Sequence, residues 1–194
     1  MEEKRMATVV VDGVERTYPC GTPYRVIAAE VQDRYPCDIL LVNRGGKLCE
    51  LHKVVDRDCT LKMVTAQDKP GIQTYERSAV FLLLKAFCDV VGREHAGQIS
   101  VEYSLSSALF LLVQGGFTLD QALLDRVEAR MRELSAAALP IEKRSISTED
   151  AMELFQNAGL VHKAQLLSFR INSRVNVYSL DGFVDYFYGY MAPD

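Results

Sequence analysis

Asp12-Gly13 stands between two runs that read as strands, Thr8-Val9-Val10-Val11 and Val14 to Tyr18. Both central positions of a two-residue hairpin turn need positive φ, which Asp and Gly tolerate, and β-branched Thr and Val suit the flanking strands. Thr22-Pro23 then reads as a helix N-cap with proline in the first helical position. The helix is expected to run to about Tyr35, because the residue before Pro36 is pushed towards extended backbone. Ile39 to Val42, Leu48 to Leu51 and Thr60 to Val64 add three strands, the first two joined by a turn at Arg44-Gly45-Gly46-Lys47. Hairpin, helix and further strands in this order describe a β-grasp, or ubiquitin-like, domain, placed at residues 1–66.

A polar stretch holding Pro70 and Gly71 follows, and residues 67–73 read as a linker. A second domain, residues 74–194, opens on a long helix from about Gln73 to Val91. Tyr75, Ala79, Leu82, Ala86 and Val90 recur on it at helical spacing, and Val80, Leu83, Leu84 and Phe87 widen that face, so the helix is expected to be nearly buried. Gly92 is placed to end it. Ile99 to Tyr103 and Ala108 to Val113 read as strands, and Gln114-Gly115-Gly116 as a turn. Thr118 and Gln121 form a capping box for a helix to Leu134 with Leu123, Val127, Met131 and Leu134 inward. Its outer face alternates Arg126, Arg130 and Arg132 with Glu128 and Glu133. Ser147 and Asp150 cap another helix that stops near Gly159. Leu166 to Arg170 and Val175 to Tyr178 read as a last strand pair turning at Asn172-Ser173. The fold class is therefore α+β.

Composition narrows the function. Hydrophobic residues make up 48% and charged residues 25% of the 194 residues, enough for packed cores and unlike a disordered chain. The net charge of -4 argues against a dedicated DNA or RNA binder but leaves room for a local basic face. The N-terminus lacks a basic stretch leading into a long apolar run, so no signal peptide is expected. The most apolar stretch, Ala79 to Phe87, is interrupted by Lys85 and is far short of the roughly 20 residues of a membrane span. Five cysteines, an odd number with no CxxC pair, read as reduced thiols of a cytoplasmic protein. His52, His95 and His162 are too scattered to suggest metal ligands, and structural roles are expected for them.

Two stretches carry a specific resemblance. One runs from Asp125-Arg126-Val127-Glu128-Ala129-Arg130-Met131 through Leu139-Pro140-Ile141-Glu142-Lys143-Arg144 to Thr148-Glu149-Asp150-Ala151-Met152-Glu153-Leu154-Phe155. The other is Val177-Tyr178 followed by Phe183-Val184-Asp185. Both resemble the N-terminal region of threonyl-tRNA synthetases, a TGS domain of β-grasp fold followed by a tRNA-editing domain. In that family the editing site uses HxxxH on the opening helix and CxxxH near the end of the domain. Residues four apart share one helix face, so such pairs can address one substrate or one metal, and imidazole or thiolate can position a water or accept its proton. Here the resemblance places Arg77 and Phe81 at the two histidine positions, and Phe187 and Met191 at the cysteine and histidine positions. Phe and Met transfer no protons, and Arg stays protonated. The resemblance thus implies an editing-like domain without hydrolytic chemistry.

The variant segment Asp185-Tyr186-Phe187-Tyr188-Gly189-Tyr190-Met191 is also similar to that of bacterial uridine kinase-like proteins, which carry TGS and editing-like segments ahead of a P-loop kinase domain. That resemblance implies a non-catalytic accessory region regulating a kinase domain beyond Asp194. ATP and Mg would serve that domain only, since Gly45-Gly46-Lys47 lacks the earlier glycine and the following hydroxyl of a P-loop. No cofactor or metal is expected in this chain.

The candidate ligand pocket comprises Arg77, Phe81, Tyr103, Ser104, Asp185, Phe187, Tyr188 and Met191. Arg77 reads either as an anion binder or as a salt-bridge partner of Asp185 or Glu76. Phe183, Tyr186, Phe187, Tyr188 and Tyr190 could stack on a nucleobase, fill the old pocket as core, or pack on a following domain. Ser104, Ser106 and Ser107 read as polar contacts or turn residues, without a histidine to activate them. Three functions compete: an accessory region of a uridine kinase-like protein, partnered by its own kinase domain; a stand-alone tRNA- or small-ligand-binding module; and a deacylase with unfamiliar residues. DNA and membrane are not expected as partners.

Overall fold

The computed structural model describes residues 5–105, 108–114 and 117–194, with backbone alone at 96–98 and 103–105. β1 (Met6–Val11) and β2 (Val14–Pro19) pair antiparallel across Asp12 and Gly13, which take φ of 52° and 79° as the turn requires. β3 (Ile39–Arg44), β4 (Lys47–Glu50) and β5 (Cys59–Thr65) complete a five-stranded sheet in the order β2-β1-β5-β3-β4. β1 and β5 run parallel and the other neighbours antiparallel. α1 (Tyr24–Val31) buries Tyr24, Ile27, Ala28 and Val31 in one core with Val9, Val11, Val42, Leu61 and Met63. This is the β-grasp arrangement, and the fold is α+β.

The expected cap of α1 is not formed. Thr22 Oγ1 donates to the Pro19 carbonyl at 2.7 Å, and Pro23 takes the cap position with extended backbone and a β-bridge to Val54. A threonine beside a turn has a local carbonyl to bond, and that competes with capping. The α-helix also stops at Val31. A 3₁₀ turn, Gln32–Arg34, carries the chain to Tyr35, whose φ of -116° and ψ of 135° are what Pro36 imposes.

α2 (Lys69–Val91) begins inside the stretch read as linker. Asp68 prepares it: its carboxylate accepts from Thr65 N at 2.9 Å and its carbonyl from Ile72 N at 2.9 Å. Pro70 falls in the first turn, where a missing N–H is harmless. A Cβ on Gly71 would lie 1.8 Å from the Thr65 carbonyl oxygen, so only glycine lets the helix start this close to β5. Gly71→Ala is expected to destabilise the chain by about 1–3 kcal/mol, read from urea unfolding.

The buried stripe of α2 includes Leu84, Ala86 and Phe87 of the expected face and departs from it elsewhere. Tyr75 is 60% exposed, whereas Thr74, Ser78, Phe81, Lys85 and Cys88 are buried. Polar side chains at three of these five positions hid the true face from a reading that counted apolar residues. Among the described residues no helix is long and apolar enough to cross a membrane.

The chain divides into two compact units, Met1–Ser78 with Gly189–Pro193, and Ala79–Tyr188 with Asp194. In the second unit β6 (Ile99–Leu105) and β7 (Ala108–Val113) form a hairpin; the expected Gly115-Gly116 turn lies outside the described residues. α3 (Gln121–Ala136) is capped by Asp120, whose side chain accepts from Leu123 N at 2.8 Å. The Thr118–Gln121 box is not used, since a carboxylate two residues later is the better acceptor and Gln121 donates to Asp125 instead.

β8 (Glu142–Ser147), α4 (Thr148–Asn157), α5 (Val161–Ser168), β9 (Arg174–Leu180) and β10 (Phe183–Tyr186) follow, with strand order β10-β9-β8. Ser147 caps α4 as expected, accepting from Asp150 N at 2.9 Å. The strand expected at Leu166 to Arg170 is instead the end of α5. Leu160, Ala164 and Leu167 recur at helical spacing and pack on Ala151, Phe155, Val175 and Val177. The partners of β9 are β8 and β10.

Candidate functional site

Phe81 sits on the buried stripe of α2 and is wholly shielded from solvent. Its ring centroid lies 5.5 Å from that of Phe183 and 5.6 Å from that of Phe187, the latter edge-on at 74°. Aromatic pairs in such geometry add about 0.5–1.5 kcal/mol beyond their buried area. Phe81 and Phe187, the positions that the resemblance aligns with a histidine and the cysteine, thus hold a buried and a half-buried ring in the second unit.

Beside them Asp185 on β10 is 1% exposed. Lys163 of α5 reaches it with Nζ 2.6 and 2.5 Å from the two carboxylate oxygens, and the same ammonium lies 5.8 Å over the Phe187 ring. Tyr186 N donates to Asp185 Oδ1 at 2.6 Å. Burial pushes the Asp185 carboxyl above its ordinary value, and the charge and hydrogen bonds of Lys163 pull the other way. Both oxygens of this carboxylate are bonded to the ammonium, an arrangement that holds structure more readily than it takes protons from water. Arg77, for which a salt bridge to Asp185 was one of the open readings, does not take this place; Lys163 does.

In the first unit, Arg77 Nη1 donates to the Tyr190 carbonyl at 2.6 Å. Gly189, at a φ of +122°, passes so close that a Cβ there would lie 2.6 Å from the guanidinium carbon. Met191 is 2% exposed. Its N–H donates to Glu50 Oε1 at 3.2 Å, and the next N–H, of Ala192, donates to Ser78 Oγ at 2.8 Å. The Ser78 hydroxyl proton faces the Thr74 carbonyl at 2.9 Å and Met191 Sδ at 3.6 Å. Tyr190 and Ala192 pack with Leu40, Leu41 and Val64. Arg77 and Met191 therefore belong to a lattice of bonds that holds residues 190–192, in which Arg77 donates to a backbone carbonyl. Ser78→Ala would leave the buried Ala192 N–H without its acceptor. The expected cost is about 1–3 kcal/mol, read as a lower melting temperature and faster carboxypeptidase trimming.

The remaining candidates do not join this set. Tyr188 is 83% exposed. Tyr103 and Ser104 lie on β6 with their side chains outside what the structure describes, and Ser106 and Ser107 are outside the described residues. Of the aromatic cluster, Phe183 is buried in the core, half-buried Phe187 packs edge-on against Phe81, Tyr190 packs in the first unit, and Tyr186 lies under the Arg170 guanidinium at 5.1 Å.

Arg130, expected on a solvated face, donates to Asp89 at 2.9 Å, and buried Lys85 holds the same carboxylate at 2.6 Å. Burial raises the Asp89 carboxyl, but these two cations outweigh it and keep the group below its ordinary value. All five cysteines are free thiols, and burial pushes the Cys88 thiol up to about 11, which makes it a poor nucleophile. Among the described residues no cluster of His, Cys, Asp or Glu could hold a metal ion. A shallow groove of about 500 Å³ between α2 and α3, lined by Leu82, Glu128, Met131, Arg132, Ser135 and Ala136, includes none of the candidate residues.

Ser78, Glu50 and Lys163 were not singled out in the sequence. The one available signal was the helical spacing of Thr74, Ser78, Phe81, Lys85 and Cys88, which marks a stripe with polar groups that must find partners once buried.

No protein-family model matches the chain. Its curated relatives include the threonine–tRNA ligase of Azobacteroides pseudotrichonymphae, 24% identical over 181 residues, which cover 92% of this chain and 28% of the ligase. That of Thermotoga petrophila is 26% identical over 177 residues, 90% of this chain and 26% of the ligase. That of Methylococcus capsulatus is 28% identical over 152 residues, 77% of this chain and 23% of the ligase. The chain is similar to a part of threonine–tRNA ligases. It spans about a quarter of the length of these relatives, and the likeness extends over both compact units.

Proposed function

We propose that this chain is a non-catalytic tRNA-binding module, built on the plan of the ligase editing region with its hydrolytic chemistry removed. The observation that carries the reading is the burial of Phe81 between Phe183 and Phe187, at positions the resemblance assigns to proton-transferring side chains. Arg77 and Met191, at the other two positions, are taken up by contacts that hold the chain's own backbone. The relatives are threonine–tRNA ligases, and this favours a tRNA partner over an accessory role in a uridine kinase-like protein.

Fluorescence-detected titration of the chain with bulk tRNA over a range of salt concentrations tests it. The expected result is binding whose affinity falls steadily as salt rises, with no loss of aminoacyl ester from a mischarged threonine-accepting tRNA in the same mixture. Absence of salt-sensitive binding would overturn the binding half, and ester hydrolysis above the buffer rate would overturn the non-catalytic half.

A further inference from the structure

The second unit displays three large apolar side chains at the end of α5 and in the segment leading into β9: Leu166 at 69%, Phe169 at 85% and Ile171 at 102% exposure. The surrounding charge is one-sided. No Asp or Glu occurs from residue 154 to 180, although the chain as a whole carries a net charge of -4, and the stretch includes Lys163, Arg170 and Arg174. Lys163 is committed to Asp185. Arg170 and Arg174 remain exposed, and on β8, the neighbour of β9, so does Arg144. Acidic residues do lie near in the fold: Glu149 and Asp150 follow Thr148, which bonds this segment, and occupy the first turn of α4, where the helix dipole favours them.

The segment is also anchored. The Arg170 guanidinium lies 5.1 Å over the Tyr186 ring. Arg174 donates to the Ser145 carbonyl at 2.5 Å and to its hydroxyl at 3.2 Å. Between them, Thr148 N donates to the Ser173 carbonyl at 3.0 Å and Thr148 Oγ1 to the Asn172 carbonyl at 2.5 Å. Two arginines are thus held in place on the segment that carries the protruding Phe169 ring.

We infer that this surface binds single-stranded RNA, a base stacking on Phe169 and phosphates meeting Arg170 and Arg174. An exposed aromatic ring with fixed cations in a stretch of chain that carries no carboxylate matches an unpaired strand, whose bases are free to stack and whose backbone is uniformly anionic. An RNA duplex offers no free base face to Phe169. The inference rests on the tRNA reading for its biological setting, but the surface can be tested apart from it.

The intact chain and its Phe169→Ala and Arg170→Gln variants would be titrated by fluorescence anisotropy with a labelled oligouridylate of about ten nucleotides, and in parallel with bulk tRNA. Phe169→Ala is expected to weaken oligouridylate binding roughly five- to hundred-fold. Arg170→Gln is expected to reduce the salt slope by about 0.7. Both side chains are exposed, so equal melting temperatures check that the variants fold. If tRNA and oligouridylate bind both variants as tightly as the parent, this surface is wrong and the tRNA reading stands. If oligouridylate binds in a Phe169-dependent way and tRNA does not bind, the surface stands and the tRNA reading is lost. If neither RNA binds, both are lost, and self-association abolished by Phe169→Ala would reassign the patch to a protein interface.

Discussion

Phe81→Ala is expected to destabilise the second unit by about 3–5 kcal/mol, the range for removing a fully buried phenylalanine and leaving a cavity. The side chain is completely shielded and its neighbours Phe183 and Phe187 lie in ring contact, so the truncation loses buried area and two aromatic pairs together. Urea unfolding followed by circular dichroism reads the effect. Phe169→Ala is the control: its ring is 85% exposed, and its stability should change by no more than about 0.5 kcal/mol. Equal effects of the two would mean that Phe81, at the position the resemblance gives to a histidine, does not act as core. Phe81→His, which places an imidazole where the resemblance puts one in the editing motif, should be nearly as destabilising, because a polar ring enters a site lined by phenyl groups. It should release no amino acid from tRNA, since Phe187 and Met191 still supply neither thiolate nor imidazole.

What the sequence disclosed and what it hid follow one physical distinction. The Asp12-Gly13 hairpin and the Ser147 cap rest on bonds between residues close in sequence, and the strands of the β-grasp sheet on runs of β-branched and apolar residues between turn residues, so these were legible although β1 pairs with β5 about 50 positions away. Thr22 and Thr118 looked equally like caps, but each had a competitor within a few residues: the Pro19 carbonyl took the first hydroxyl, and Asp120 capped α3 in place of the second. The segment 166–170 failed for another reason. Its apolar residues point both inward and outward, so composition favoured a strand while Leu160, Ala164 and Leu167 set a helix. At the candidate site the motif positions could be named from the resemblance. The residues that occupy their surroundings could not, because Lys163 meets Asp185 across 22 positions and Ser78 meets Ala192 across 114.

Lys163→Met is expected to lower stability at neutral pH by about 3 kcal/mol, because it leaves the Asp185 carboxylate buried without its counter-ion. Lys163 is one-third exposed and partly screened by water, which places the loss at the lower end of the range for broken buried pairs. The deficit should depend on pH, and its sign follows from Asp185. Burial raises this carboxyl above its unfolded value, so the folded chain keeps the proton to higher pH than the unfolded chain does. Stability linked to that proton is fully present below the unfolded value of about 3.9 and is lost as pH rises through the folded value. Lys163 opposes the loss by favouring the ionised form. Without it the folded value moves further up and the loss grows. The difference between variant and parent should therefore be small near about pH 4 and widen towards neutrality, while groups that titrate alike in both proteins cancel. Adding Asp185→Asn to Lys163→Met should flatten the profile, since the buried amide carries no charge at any of these pH values. A deficit equally large at acid and neutral pH would mean that Lys163 contributes packing along its alkyl chain and that its ion pair with Asp185 is energetically idle.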